Sequence, residues 1–134
     1  MEMIVDFPGG SRVDAHFGSF TVATDQLPGT NGPSPFALFL ASIGTCAGHY
    51  VNEFCRQRGI STEGLRIVER THAGAHGMIE RIGLEIQLPA DFPEKYRESV
   101  IRAAQLCTVK KHLERPPAIE VTTSAAEFAS QLIS

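Results

Sequence analysis

Tryptophan is absent from this 134-residue chain and tyrosine occurs only twice, which leaves little from which to build a stacking platform for nucleic acid. Charge of either sign is thinly spread. The formal net charge is −3, with no basic run and no acidic tail, so neither an electrostatic nucleic-acid footprint nor a disordered acidic segment is present. Long hydrophobic runs are missing. The longest, Phe36 to Ile43, is broken by Ser42 and is far too short to span a bilayer. The opening MEMIVDFPGG has neither a positive n-region nor an apolar h-region of signal-peptide length, and a cytoplasmic protein is expected. There is no CxxC, GxSxG, P-loop or GxGxxG, and no carboxylate pair of the kind hydrolysis needs.

Cysteine is scarce but placed informatively. Three residues, Cys46, Cys55 and Cys107, make an odd count, which argues against a secreted disulfide framework. In a reducing compartment a disulfide is more often transient and catalytic than structural. Hydrophobic residues make up 43% and charged residues 20%, the mix of one globular domain over residues 1–134 with a core of its own.

Apolar alternation in residues 2–6 and 12–23 predicts two or three antiparallel strands, with turns at Pro8-Gly9-Gly10 and Gly18-Ser19. Residues 25–33 carry loop chemistry. Ser34 as N-cap and Pro35 at the first helical position predict a helix running to about Arg58 and stopping at Gly59. Its first half is apolar nearly all round, the mark of a helix buried on most sides. Small residues Ala41, Ser42, Gly44, Ala47 and Gly48 would let another backbone approach closely. Residues 65–71 and 78–88 read as strands, the second with Ile82, Leu84, Ile86 and Leu88 on one face. A second helix is expected from Pro93 to about Leu106, continuing or restarting near Cys107 and ending before Pro116-Pro117. Ala118 to Thr123 is expected as a last strand, with a short C-terminal helix after it. The order β-β-β-α-β-β-α-β segregates strands from helices, so the class is α+β.

Cys46 lies well inside its helix, beyond the first turn that would activate a thiol. His49, Tyr50 and Glu53 share its stripe. Among Ala, Gly and Ile it reads equally as a small buried hydrophobe. Cys55 falls on about the opposite side of the same helix, roughly 13 Å further along, cannot pair with Cys46 there, and reads as structural. Cys107 stands where a helix ends or bends, followed by Lys110, Lys111 and His112. Those cations would favour a thiolate, or they form a solvated turn after a packed cysteine. His72 and His76 are spaced like zinc ligands, but no second pair lies nearby.

GPSPFALFLASIGTC resembles the segment that leads to the first cysteine of the OsmC/Ohr family, the osmotically inducible and organic hydroperoxide resistance proteins. QLCTVKKHL is similar to the segment around that family's second cysteine, and the order of elements fits over nearly the whole chain. The resemblance implies an OsmC-like α+β fold, with antiparallel strands around a long buried central helix in an intertwined homodimer. It implies a thiol peroxidase in which Cys46 attacks organic hydroperoxides and Cys107 resolves the sulfenic acid as a disulfide that a dithiol reductant resets. No cofactor, metal, nucleic acid or membrane is implied. The family also uses an arginine to stabilise the thiolate and a glutamate near the start of the central helix to hold that arginine. Arg12 is the candidate arginine. The glutamate is missing, since Phe36 and Ala37 follow Pro35, and Glu53 and His49 are the candidates to replace it. The competing expectations are a non-enzymatic dimer of the same fold that binds an apolar ligand, or a general thiol redox protein acting on other thiols.

Overall fold

The computed structural model describes residues 1–26 and 31–125. Five strands and three helices are seen among the described residues: β1 (Ile4–Gly9), β2 (Arg12–Phe17), β3 (Phe20–Thr24), α1 (Pro35–Gln57), β4 (Arg66–Ala73), β5 (Ile79–Gln87), α2 (Arg97–Ala104) and α3 (Thr108–Glu114). The strands form two antiparallel sheets, β1-β2-β3 and the hairpin β4-β5.

The turns fall where glycine permits them. Gly10 (φ 59°) closes β1 onto β2, and Gly18 (φ 56°) with Ser19 links Phe17 to its register partner Phe20. Beyond β3 the chain is tied back by Asp25, whose carboxylate accepts from Ser11 Oγ and, at 2.7 Å, from Asn31 Nδ2. Its backbone N–H donates to Pro33 O at 3.1 Å.

α1 begins as expected. Ser34 Oγ accepts the N–H of Ala37 at 3.2 Å, with Pro35 at the first helical position. It ends in a Schellman motif, in which Gly59 N–H donates to Arg56 O (3.2 Å) and Ile60 N–H to Cys55 O (2.9 Å). Gly59 supplies the positive φ of 66°. The helix buries a single stripe, Ile43, Ala47, Val51, Phe54 and Cys55. Here the structure departs from the all-round burial expected, because Phe36 and Phe39 remain 53% and 37% exposed on the single chain. One hairpin and two short helices cover only one side of a 23-residue helix.

The core joins Val51, Phe54 and Cys55 of α1 to Phe92 and Val100, with Ile67, Ile86 and Leu88 of the hairpin against them. The second helical region is split. A single 3-10 turn at Glu94–Tyr96 leads into α2, and the chain restarts at Cys107 into α3 rather than continuing. The expected strand Ala118–Thr123 is not formed. Ile119 and Val121 stand 87% and 91% exposed. The alternation is there, but a strand also needs an edge to pair with, and none receives it within the chain. The expected C-terminal helix lies outside the described residues.

The three-stranded sheet behaves differently from the rest. β1 is exposed along its whole length, Ile4, Val5 and Phe7 included. The extensive packing of the chain runs among α1, α2, α3 and the β4-β5 hairpin, and the sheet takes no comparable share in it.

Candidate active site

Cys46 is half-buried in the middle of α1, facing the start of α3, whereas Cys107 is 2% exposed and caps that helix. Cys107 Sγ accepts the N–H of Lys110 at 3.4 Å. The fold thus brings the two cysteines, sixty-one residues apart, within hydrogen-bonding reach of each other, both as free thiols.

Their surroundings drive the two thiols apart. At Cys46 burial is the largest single influence and pushes the pKa up. The backbone N–H of Val109, the Cys107 thiol and the backbone N–H of Thr108 together outweigh it and hold Cys46 below the ordinary thiol value. At Cys107 burial again leads and raises the pKa; the Lys110 N–H opposes it, but the neighbouring Cys46 raises it further. When one proton leaves the pair, it leaves Cys46, and Cys107 remains the S–H donor. Of the two, Cys46 is the thiol favoured as a thiolate and Cys107 the one favoured in its protonated form.

α3 is fastened to α1 beside this pair. Tyr50, one turn after Cys46, and Thr108, the first residue of α3, meet through their hydroxyl oxygens at 3.0 Å. The cations expected to act on Cys107 point elsewhere. Lys110 Nζ lies 3.4 Å from Glu114, and His112 Nδ1 lies 2.8 Å from Thr108 O. Of the two readings of these charges, the structure fits a packed Cys107 followed by a solvated turn, since what reaches the sulfur is a backbone amide.

Arg12 stands on β2 and donates from a terminal guanidinium nitrogen to Asp14 Oδ2 at 3.0 Å. Asp14 is 5% exposed. The carboxylate missing at Phe36 and Ala37 thus has a counterpart two residues from the arginine, in R-x-D spacing that puts both on one strand face. Within the chain, Arg12 is not among the groups that set the protonation of Cys46. Neither are Glu53, which pairs with Arg56 and Gln57 (3.5 and 3.2 Å), nor His49. Cys55 is wholly buried in the core, its pKa raised by burial, and is structural as expected.

Two other features border the site. A cavity of about 590 Å³ lies between α1, α2, α3 and the inner face of the hairpin, lined by Ile43, Ala47, Ile82, Leu84 and Ile101 and reaching Cys107, with Arg97 and Lys110 at its edge. Glu69 stands on that otherwise apolar hairpin face, opposite Leu84, with its carboxyl lodged against Gly44 of α1. Burial raises its pKa against a hydrogen bond from the Gly44 backbone, and Oε2 is buried without a partner. Alternation through Ile67, Glu69 and Thr71 could have shown this residue. The two backbone amides on Cys46 leave no mark in a sequence.

Among the described residues one group could hold a metal ion: Asp6, Asp14 and His16, whose ligand atoms lie within 4.8 Å of one another. Arg12 already neutralises Asp14, and His16 lies 3.1 Å from Asp6 and 3.0 Å from Thr21. His72 and His76 join no such group.

The family model for OsmC-like proteins matches residues 28–122. Among solved structures, the OsmC-like protein from Mycoplasma pneumoniae overlays with a TM-score of 0.68 at 16% identity, covering 84% of this chain and 86% of that one. A protein from Aquifex aeolicus VF5 overlays with a TM-score of 0.69 at 15% identity, covering 89% and 90%. The organic hydroperoxide resistance protein OhrB of Bacillus subtilis reaches a TM-score of 0.48 at 17% identity, covering 83% and 88%. Among curated proteins none is significantly similar in sequence.

Proposed function

This chain belongs to the OsmC-like family, and from that membership we propose that it is a thiol-dependent peroxidase acting on organic hydroperoxides. The observation that carries the reading is the meeting of the two thiols, Cys46 on α1 facing Cys107 at the cap of α3 where Tyr50 and Thr108 join the two helices, with Cys46 held below the usual thiol range and Cys107 above it.

The chemistry follows from that asymmetry. The Cys46 thiolate attacks the terminal oxygen of R–O–O–H. The S–O bond forms as the O–O bond breaks, the alkoxide leaves and takes a proton, and Cys46 becomes a sulfenic acid. Cys107 then attacks that sulfur, water leaves, and a Cys46–Cys107 disulfide forms. A dithiol reductant supplies two electrons and two protons to restore both thiols. The apolar cavity ending at Cys107 falls within the volume range of small-molecule sites and suits an alkyl substituent better than hydrogen peroxide.

The reading includes a homodimer. The chain exposes 10473 Å², about half as much again as the ~6,900 Å² of a compact monomer of its mass. Exposed apolar residues include Ile4, Val5 and Phe7 of β1, Phe36 and Phe39 at the start of α1, Ile101, Leu106 and Leu113 on and around α2 and α3, and Ile119 and Val121. A second copy covering them would bury α1 and give the 118–123 segment an edge. It would also let Arg12, held by Asp14, be supplied to Cys46 across the contact.

Reduced protein mixed with excess cumene hydroperoxide is expected to lose two of its three thiols, with peptide mass mapping a Cys46–Cys107 link. Cys46→Ser is expected to consume no peroxide, and Cys107→Ser to accumulate a sulfenic acid at Cys46. Survival of all three thiols would sink the peroxidase reading. A retained affinity for apolar molecules would then leave the cavity as the site of a binding protein.

A further inference from the structure

The N-terminal sheet carries a polar stripe of which the peroxidase reading uses only Arg12 and its partner. Arg12, Asp14 and His16 alternate along β2 and share one face. Asp6 of β1 is the register partner of Asp14, and Thr21 of β3 that of His16. One oxygen from each of Asp6 and Asp14 and one ring nitrogen of His16 lie within 4.8 Å of one another. Three features separate this group from an ordinary surface ion pair. Asp14 is 5% exposed, and Arg12 donates only to its Oδ2, at 3.0 Å. Asp14 Oδ1 is buried with no hydrogen-bond partner among the described residues, an arrangement that costs free energy until something cationic meets the oxygen. His16 Nε2 stands 3.1 Å from Asp6 Oδ2. Two ligands each about 2.0–2.1 Å from a tetrahedral ion stand about 3.3 Å apart, so this pair is spaced to share one. His16 Nδ1 lies 3.0 Å from Thr21 Oγ1. A ligating imidazole gives its other N–H to such an oxygen, and a ligating carboxylate is itself hydrogen-bonded, as Asp14 is by Arg12.

We infer that Asp6, Asp14 and His16 form a site for one divalent transition-metal ion of the zinc class, which imidazole and carboxylate ligands suit. Asp14 binds through Oδ1 and keeps Arg12 on Oδ2. His16 binds through Nε2, with Thr21 accepting from Nδ1–H. Two carboxylates against one guanidinium leave a net negative charge for the ion to meet. The ion joins β1 to β2, and β1 is the strand that is exposed along its whole length. It supplies a staple where the sheet has no apolar core, the role metals take in small scaffolds. The inference is independent of Cys46 and Cys107 and goes beyond the peroxidase reading.

The test is Zn2+ binding by the full-length chain carrying Cys46→Ser and Cys107→Ser, so that the two thiols cannot take the ion. After stripping with a chelator, this protein is expected to bind one Zn2+ per chain in equilibrium dialysis, and its melting temperature should rise with zinc concentration. Thr21→Val, which removes only the oxygen behind His16, should weaken binding by about 10- to 100-fold. His16→Gln and Asp6→Asn, both at partly exposed side chains that the fold does not depend on, should each weaken it further. His72→Gln combined with His76→Gln should change nothing. Zinc should slow amide hydrogen exchange in β1 and β2 and leave the β4-β5 hairpin as it was. No bound zinc, or zinc held equally well by His16→Gln and Asp6→Asn, would overturn the site and leave the group a His16–Asp6 ion pair. Slowing of β4-β5 as great as that of β1 would overturn the staple. Neither result touches the peroxidase reading.

Discussion

The two halves of this chain solve the problem of burial in opposite ways. From Pro35 to Glu114, α1, the β4-β5 hairpin, α2 and α3 close on a core of Val51, Phe54, Cys55, Phe92 and Val100, and both redox-capable cysteines sit on that framework. The N-terminal sheet, by contrast, pairs its strands, with one irregularity between Asp6 and Gly9, but packs little. Its β1 is wholly exposed, and its buried groups are largely polar: Asp14, Thr24 and, just after it, Asp25. Hydrogen bonds fix its shape without supplying an apolar reason to stay attached. Backbone pairing can make a sheet locally, but only a covered apolar face makes it part of a core. The helical core holds the thiols and the N-terminal sheet holds Arg12, so the role proposed for Arg12 at Cys46 calls for a second copy.

The largest effect expected from this contrast is on stability. Phe92 is 6% exposed and Phe7 is 80% exposed. Phe92→Ala should cost about 3–5 kcal/mol in urea unfolding, whatever the protein concentration. Phe7→Ala should cost less than about 0.5 kcal/mol in dilute protein and more as concentration rises, as sedimentation would follow. Equal, concentration-independent losses for the two variants would break the comparison.

A smaller effect is expected on turnover. Arg12→Gln should lower the rate of cumene hydroperoxide reduction by roughly 10- to 100-fold, the scale of losing one group that stabilises developing charge. Stability should fall as well, because the buried Asp14 loses its partner, whereas Asp14→Asn combined with Arg12→Gln should recover stability without recovering turnover. Undiminished turnover would show that the amides on Cys46 act alone.

The smallest effect concerns Glu69, the acid on the apolar hairpin face. Its folded-state pKa is raised by burial, against a weaker backbone hydrogen bond. Such a group contributes stability that is full below its unfolded pKa, near 4.3, and is lost as pH rises through the folded value. Glu69→Gln should remove that dependence, so melting curves of wild type and variant should diverge above about pH 4 in the variant's favour. Divergence in the other direction would mean that the carboxylate, not the acid, is the form the fold prefers.

How much of this was legible in the chain can be judged residue by residue. Ser34, Pro35 and Gly59 announced both ends of α1, because caps are local chemistry satisfied within a few residues. Ile82, Leu84, Ile86 and Leu88 announced the hairpin face. The strand at Ala118–Thr123 was misjudged because pairing is not a local property. The apolar surface of Phe36 to Gly48 was read as buried all round, yet the single chain covers one stripe of it. Sequence proximity left Lys110 and Lys111 as either activators of Cys107 or a solvated turn, and only α3, which turns Lys110 towards Glu114, separates the two.

The sequence by itself determined the strands and helices up to α1 and the β4-β5 hairpin, the α+β class and, through GPSPFALFLASIGTC, the family. Each depends on near neighbours along the chain or on a pattern of residue types. Only the tertiary structure shows which of the two thiols its surroundings favour as a thiolate. That choice depends on the Thr108 and Val109 amides, the Cys107 proton and the burial around each sulfur, groups that lie some sixty residues from Cys46 and meet it only once α3 has folded back onto α1.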